Sequence, residues 1–87
     1  MPRRNRTRDP APEDRLRVAI KSARDANCWT CANVAVLAQR AGHHITGQVV
    51  WKIENRSRVI YVDDIEAIRV VFGWSWDDVL ATMEGNT

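Results

Sequence analysis

The chain has 87 residues, 45% of them hydrophobic, and a formal net charge of +2. That is enough for one small domain with a modest core, too little apolar length for a membrane span of ~20 residues, and not the pattern of a secretory signal, because the arginine-rich start lacks an apolar segment. A cytoplasmic protein, prokaryotic or phage-encoded, is the default expectation, and the two cysteines, Cys28 and Cys31, too few to staple a secreted scaffold, add nothing against it.

Charge is unevenly placed. Residues 1–60 hold twelve Arg/Lys against five Asp/Glu, a balance of +7, and residues 61–87 hold one against six, a balance of −5. Such a split reads as one face for a polyanion and an opposite end held away from it, or as the ordinary solvation of a small surface. Residues 1–12 are polar, carry all three prolines and cannot bury a face, which predicts a flexible arm. Arg3, Arg4, Arg6 and Arg8 lie there, suited to following a phosphate backbone or entering a minor groove, or serving as a solvated tail.

A first helix is predicted over about 13–26. Pro12 suits its first turn, Glu13 and Asp14 complement its dipole, and Leu16, Ala19, Ile20 and Ala23 form one apolar stripe. Arg17, Lys21 and Arg24 line another side, and Asn27 is the expected left-handed terminator. A second helix opens at Thr30 (Asn33 is another possible start), with Trp29 and Val34 spaced as a hydrophobic staple. Val34, Leu37, Ala38 and Ala41 form its inward stripe, and Gly42 ends it. A third begins after Thr46, with Val50 and Ile53 inward and Ile45 plugging the turn, leaving Gln48, Val49, Trp51 and Lys52 largely outward. An apolar outer face on so short a helix makes most sense against a partner. A fourth covers about 62–72, with Val62, Ile65, Ile68 and Phe72 inward and Gly73 as its stop. A fifth opens at Ser75, with Asp78 completing a capping box and Trp76, Val79, Leu80 and Met83 as its stripe; residues 84–87 form a frayed tail. Five helices, short links and no alternating strand pattern give an all-α domain over 13–83.

The layout over residues 36–58, two short helices across a turn followed by a basic run, is how a helix-turn-helix protein sets one helix in the major groove of DNA. Leu37, Ala38 and Gly42 match an L-A-x-x-x-G segment, and Val50, Ile53 and Glu54 match I-x-x-I-E. In VDDIEAIRVVFGWSWDDVL, Val62, Ile65, Ile68, Phe72, Gly73, Ser75, Trp76, Asp77, Asp78 and Val79 fall in register with a third family segment. Across about half the chain the sequence thus resembles the lambda-repressor-like, Cro/XRE-type helix-turn-helix family. It departs from that family in a turn lengthened by His43 and His44, an extended link at Asn27, Cys28 and Trp29, Val34 where a glutamine is usual, and Arg69 where a small residue is usual.

The resemblance implies a compact five-helix domain whose third helix, about 47–55, reads bases with Thr46, Gly47, Gln48, Val49 and Lys52. The chemistry of the residues agrees, since Gln can pair with adenine, Lys with guanine and Val with a thymine methyl. Gly47 would let the backbone come close to the bases. Asn55, Arg56, Ser57 and Arg58 would contact the DNA backbone, joined by Thr30 and Asn33 at the start of the second helix, and Trp51 would pack on sugar or backbone, or within a dimer. Glu54 is expected to brace against a first-helix cation, Lys21 or Arg24.

Cys28-Trp29-Thr30-Cys31 with His43-His44 suggests zinc only weakly, because adjacent histidines chelate awkwardly and the usual spacing between the pairs is missing. No metal or other cofactor is expected. No nucleophile-base-orienter set or glycine-rich phosphate loop is present, so no enzymatic activity is expected. The expected partner is double-stranded DNA, bound by a repressor-like transcription regulator acting as a homodimer that meets through the fifth helix or the C-terminus, or, since 87 residues leave no separate dimerisation domain, as a monomer, with no membrane involved. The alternative is a protein-interaction module, an antitoxin or adaptor, that engages a protein partner through helices 4–5, with Trp74, Trp76 and Met83 at the contact.

Overall fold

Pro12 fixes the backbone angle that starts the first helix, and its missing N–H is one the first turn would leave unused. In the computed structural model, which describes residues 11–85, five helices follow: α1 (Pro12–Ala26), α2 (Cys31–Arg40), α3 (Gly47–Glu54), α4 (Val62–Phe72) and α5 (Trp76–Glu84). Among the described residues there is no strand, and no helix is long and apolar enough to cross a membrane. The four expected arm arginines, Arg3, Arg4, Arg6 and Arg8, lie outside the described residues.

Helix starts follow capping chemistry. The Thr30 hydroxyl accepts from the Asn33 N–H (3.1 Å) while the Asn33 side chain accepts from the Thr30 N–H (2.9 Å). Ser75 and Asp78 form the same reciprocal pair at 3.0 and 2.9 Å, and the Thr46 hydroxyl accepts from the Val49 N–H at 3.2 Å. Helix ends follow a second rule, in which one left-handed residue lets the next N–H reach back five positions. Gly42, at φ +92°, does this after α2, where the His43 N–H bonds the Ala38 carbonyl. After α1 the left-handed residue is Cys28 (φ +57°), not Asn27 as expected. Asn27 stays right-handed at φ −92°, and its side-chain amide donates to the Ala23 carbonyl.

The core draws on every helix: Leu16 and Ile20 from α1, Val34 and Ala38 from α2, Val50 and Ile53 from α3, Ala67 and Ile68 from α4, and Val79 from α5, with Ile45 plugging the α2–α3 turn. Helix α1 packs on α3 and α5, and α2 packs on α3 and α4. Trp29, Phe72 and Trp74 stack in series (5.9 and 5.0 Å between centroids), tying the α1–α2 link to the α4–α5 link.

Several inward assignments change. Val62 is 69% exposed, because the first turn of α4 turns Asp64 inward instead. There the Asp64 carboxylate accepts from the Tyr61 N–H (3.1 Å) and pairs with Arg58 (3.2 Å). On α5, Val79 is buried and Met83 packs on the core, but Trp76 and Leu80 lie at the surface. On α2, Ala41 is exposed and Ala35 takes a buried place.

Candidate nucleic-acid interface

Two helix N-termini meet at the centre of the candidate site. A Cβ placed on Gly47 would lie 3.1 Å from the Cα of Ala32 and 3.2 Å from its backbone nitrogen. The first turn of α3 therefore rests directly on the first turn of α2, and Gly47 is what permits it. This corrects the expectation that Gly47 clears space for a base: its bare face is turned to α2. The close approach brings Thr30 and Asn33 alongside Thr46, Gly47 and Gln48, and each helix begins with N–H groups that have no partner within the helix. The Thr30 and Asn33 side-chain oxygens are already engaged in the cap, which leaves the Asn33 amide hydrogens free to donate elsewhere.

Helix α3 is held from behind. Val50 and Ile53 are fully buried, and the Gln39 amide donates to the Ile45 carbonyl (2.9 Å), fixing the turn before it. At its far end Arg17 donates to the Ile53 carbonyl (2.6 Å). Arg24 pairs with both Glu54 oxygens, at 2.7 and 2.8 Å, and also donates to the Trp29 carbonyl (2.9 Å). Glu54 is thus the expected brace, and of the two candidate cations Arg24 is its partner; Lys21 instead meets Asp25 at 3.6 Å. Hydrogen bonding to Glu54 pushes the Arg24 guanidinium further toward its charged form.

The outer surface of α3 is mixed. Gln48 is exposed, Lys52 is half-buried, and Trp51 keeps 52% of its area exposed. Val49 is half-buried and packs against the core, so it projects less than expected. Beyond α3, the Asn55 amide caps the Trp51 carbonyl (2.8 Å), and the Ser57 N–H reaches back to the Lys52 carbonyl (2.8 Å). Arg56 takes the left-handed position at φ +61° with its side chain 67% exposed, bridging to Asp14 at 3.4 Å. Arg58 is not an outstretched cation. Its guanidinium lies on Asp64 and 5.1 Å over the Tyr61 ring, and the hydrogen bond to Asp64 favours its charged form.

One surface cation was missed in the sequence. Arg40, exposed at the end of α2, lines a shallow cavity of about 290 Å³ together with Trp29, Asn33, Val36 and Leu37. Its place beside Asn33 follows from the seven-residue spacing, two helical turns along one face. Among the described residues no group of three or more His, Cys, Asp or Glu side chains is placed to hold a metal ion. Cys28 and Cys31 are free thiols, and burial with the nearby Glu54 carboxylate pushes the Cys31 thiol up.

No protein family, characterised protein or solved structure matches this chain.

Proposed function

We propose that the protein is a sequence-specific double-stranded DNA-binding regulator of the lambda-repressor-like, Cro/XRE type, with α3 in the major groove, acting in the cytoplasm of a prokaryotic or phage-infected cell. The observation that carries this reading is the α2–turn–α3 unit itself. Its two N-termini are locked together at Gly47 and Ala32, and α3 is pinned at both ends while Gln48 stands exposed. A rigid helix that presents polar groups at its N-terminal turn suits the reading of base edges, where placement must hold to within a fraction of an ångström. Gln48 and Lys52 are assigned to bases. Asn33, Arg40 and Arg56 are assigned to phosphates, where they set register without reading sequence.

Binding of labelled duplexes recovered by unbiased selection, titrated across salt concentrations, tests the reading. Affinity should fall steeply with salt as counterions are released. Gln48→Ala should flatten the preference among sequences. Arg56→Ala should weaken every sequence alike and reduce the salt slope by about one. Equal, salt-insensitive binding of both variants to all duplexes would refute it.

A second reading, a protein-interaction module, draws support from Trp76 and Leu80, which are exposed four residues apart on α5. Trp74 and Met83, expected to share that contact, pack on the core instead. Retention of a specific protein partner, abolished by Leu80→Glu, with no binding to any duplex, would favour it over the first.

A further inference from the structure

A cavity of about 550 Å³ lies between α1 and the end of α5, within the range of small-molecule sites. Its long wall is one face of α1, where Asp14, Arg15, Val18, Ala19 and Ser22 recur at helical spacing along about 12 Å. Thr82 and Gly85 close the other side, and Arg56 reaches over from the α3–α4 link. Polar and apolar groups are sorted along this groove. Arg56 pairs with Asp14, and Gly85 sits against the Arg15 guanidinium, so both cations stand at the end where α1 begins. Val18, 61% exposed, and Ala19 line the middle.

Cations exceed acids at the charged end. Asp14 is the one carboxylate on the wall, and its Oδ1 atom faces both Arg17 Nε and Arg56 Nε, each at 3.4 Å. At that length these are ion pairs rather than hydrogen bonds, and the buried Arg17 Nε has no hydrogen-bond partner. The Arg56 side chain is 67% exposed, where such a pair is weak. Arg15 gives one nitrogen to the Met83 carbonyl (2.8 Å), and the Gly85 N–H takes the Thr82 carbonyl (3.1 Å), so these two carbonyls of α5 are already satisfied. Glu84 belongs to the same turn of α5 but does not line the cavity. A guanidinium carries five donors in a planar fork that matches a carboxylate. We infer that the groove binds a small amphipathic anion: a carboxylate whose head meets Arg15 and Arg56 and whose unbranched tail lies along Val18 and Ala19 toward Ser22. An inorganic anion leaves the apolar middle uncovered, and a cationic amphiphile sets its head against two guanidinium groups. The inference is independent of the DNA-binding reading, and its test contains no DNA.

Decanoate is the probe. Titrated into the isotopically labelled full chain near pH 7 and followed by NMR, it should shift the amides of Val18, Ser22, Thr82 and Gly85 saturably. The dissociation constant should be roughly 0.1–2 mM, the range for about a dozen non-hydrogen atoms in an open site. Butyrate keeps the head and loses the tail, and decyltrimethylammonium keeps the tail and reverses the charge; each should bind at least ~10-fold more weakly. Val18→Glu, at a position too exposed to threaten the fold, sets a carboxylate in the groove. It should weaken decanoate at least ~10-fold, with circular dichroism and melting temperature unchanged. Arg56→Gln should weaken it about 3–10-fold. No saturable shift up to roughly 10 mM decanoate overturns the inference. So does decyltrimethylammonium binding as tightly as decanoate, saturable shifts confined to Trp76 and Leu80 on α5, or a Val18→Glu variant that binds decanoate as well as the parent chain.

Discussion

Removing the Glu54 carboxylate isolates what holds α3 to α1. Its side chain is 3% exposed and accepts both hydrogen bonds from Arg24, whose own side chain is 16% exposed. In Glu54→Ala the guanidinium keeps its bond to the Trp29 carbonyl and a longer, solvent-exposed contact with Asp25 (3.5 Å), but loses its buried, hydrogen-bonded counter-charge in a site with little access to water. Breaking one side of a buried pair in this way costs about 3–5 kcal/mol, and the 16% of Arg24 still open to solvent places the expectation at the lower end, about 3 kcal/mol. For a domain of this size that is a large share of a total of roughly 5–10 kcal/mol, and it lowers the melting temperature by about 12–24 °C. Replacing both partners at once, Arg24→Met with Glu54→Leu, removes the stranded charge and should recover most of the loss, so the double-mutant cycle returns a coupling of about 2 kcal/mol or more. Urea unfolding followed by circular dichroism and by tryptophan fluorescence gives both values. If Glu54→Ala costs under about 1 kcal/mol, or the double variant is as unstable as the worse single one, then Arg24 and Glu54 are a solvated surface pair and the bracing argument fails.

Gly47→Ala should destabilise by about 1 kcal/mol, against the usual gain from Gly→Ala at a helical position, because the added methyl meets the Ala32 backbone at 3.1 Å; thermal melts give the sign. Thr46→Ala should cost about 1 kcal/mol through loss of the bond from the Val49 N–H, read from urea midpoints. Cys28, exposed, should be alkylated well before Cys31 near pH 8, as mass spectrometry of timed digests would show. The Cys31 thiol, pushed up by burial and Glu54, holds its proton at a pH where an unfolded thiol has begun to lose it. By the same linkage its contribution to stability is complete below the ordinary thiol range and declines as pH rises through that range toward the raised value.

Much of the fold was legible because caps and stops are local chemistry. Thr30, Thr46, Ser75 with Asp78, and Gly42 each do what their residue type implies within a few bonds of their own backbone. The inward roles of Val50, Ile53 and Ile45 were legible too, since a short helix with few apolar residues has one way to bury them. The errors have one physical source, which is that helical periodicity defines a stripe but not where along the stripe a neighbour begins. Val62 and Leu80 lie in the stripes of α4 and α5, yet they fall outside the area the other helices cover. Gly47 was misassigned because the sequence shows that a close approach is permitted, not which surface makes it. Asn27 gave way to Cys28 because a side-chain amide that caps its own helix at Ala23 no longer needs the left-handed backbone.

The same bonds that fix α3 change the meaning of the charge count. Of the α1 cations, Arg15 donates to the Met83 carbonyl, Arg17 to the Ile53 carbonyl and Arg24 to the Glu54 carboxylate, while the exposed Lys21 meets Asp25 at 3.6 Å, so the three arginines of α1 are engaged within the domain. Arg58 is likewise bound to Asp64. The exposed Arg40 and Arg56 and the half-buried Lys52 then weigh more in any attraction for a polyanion than the +7 of residues 1–60 suggests. Arg56 stands out among them, since its left-handed backbone is one where glycine would rest without steric cost. Arg56→Gly should therefore raise unfolding stability by about 0.5–1 kcal/mol while weakening duplex binding on every sequence. A gain of stability without loss of binding would leave Arg56 as a mere turn residue and remove the phosphate role assigned to it; loss of both would mean that its bridge to Asp14 outweighs the relief of strain.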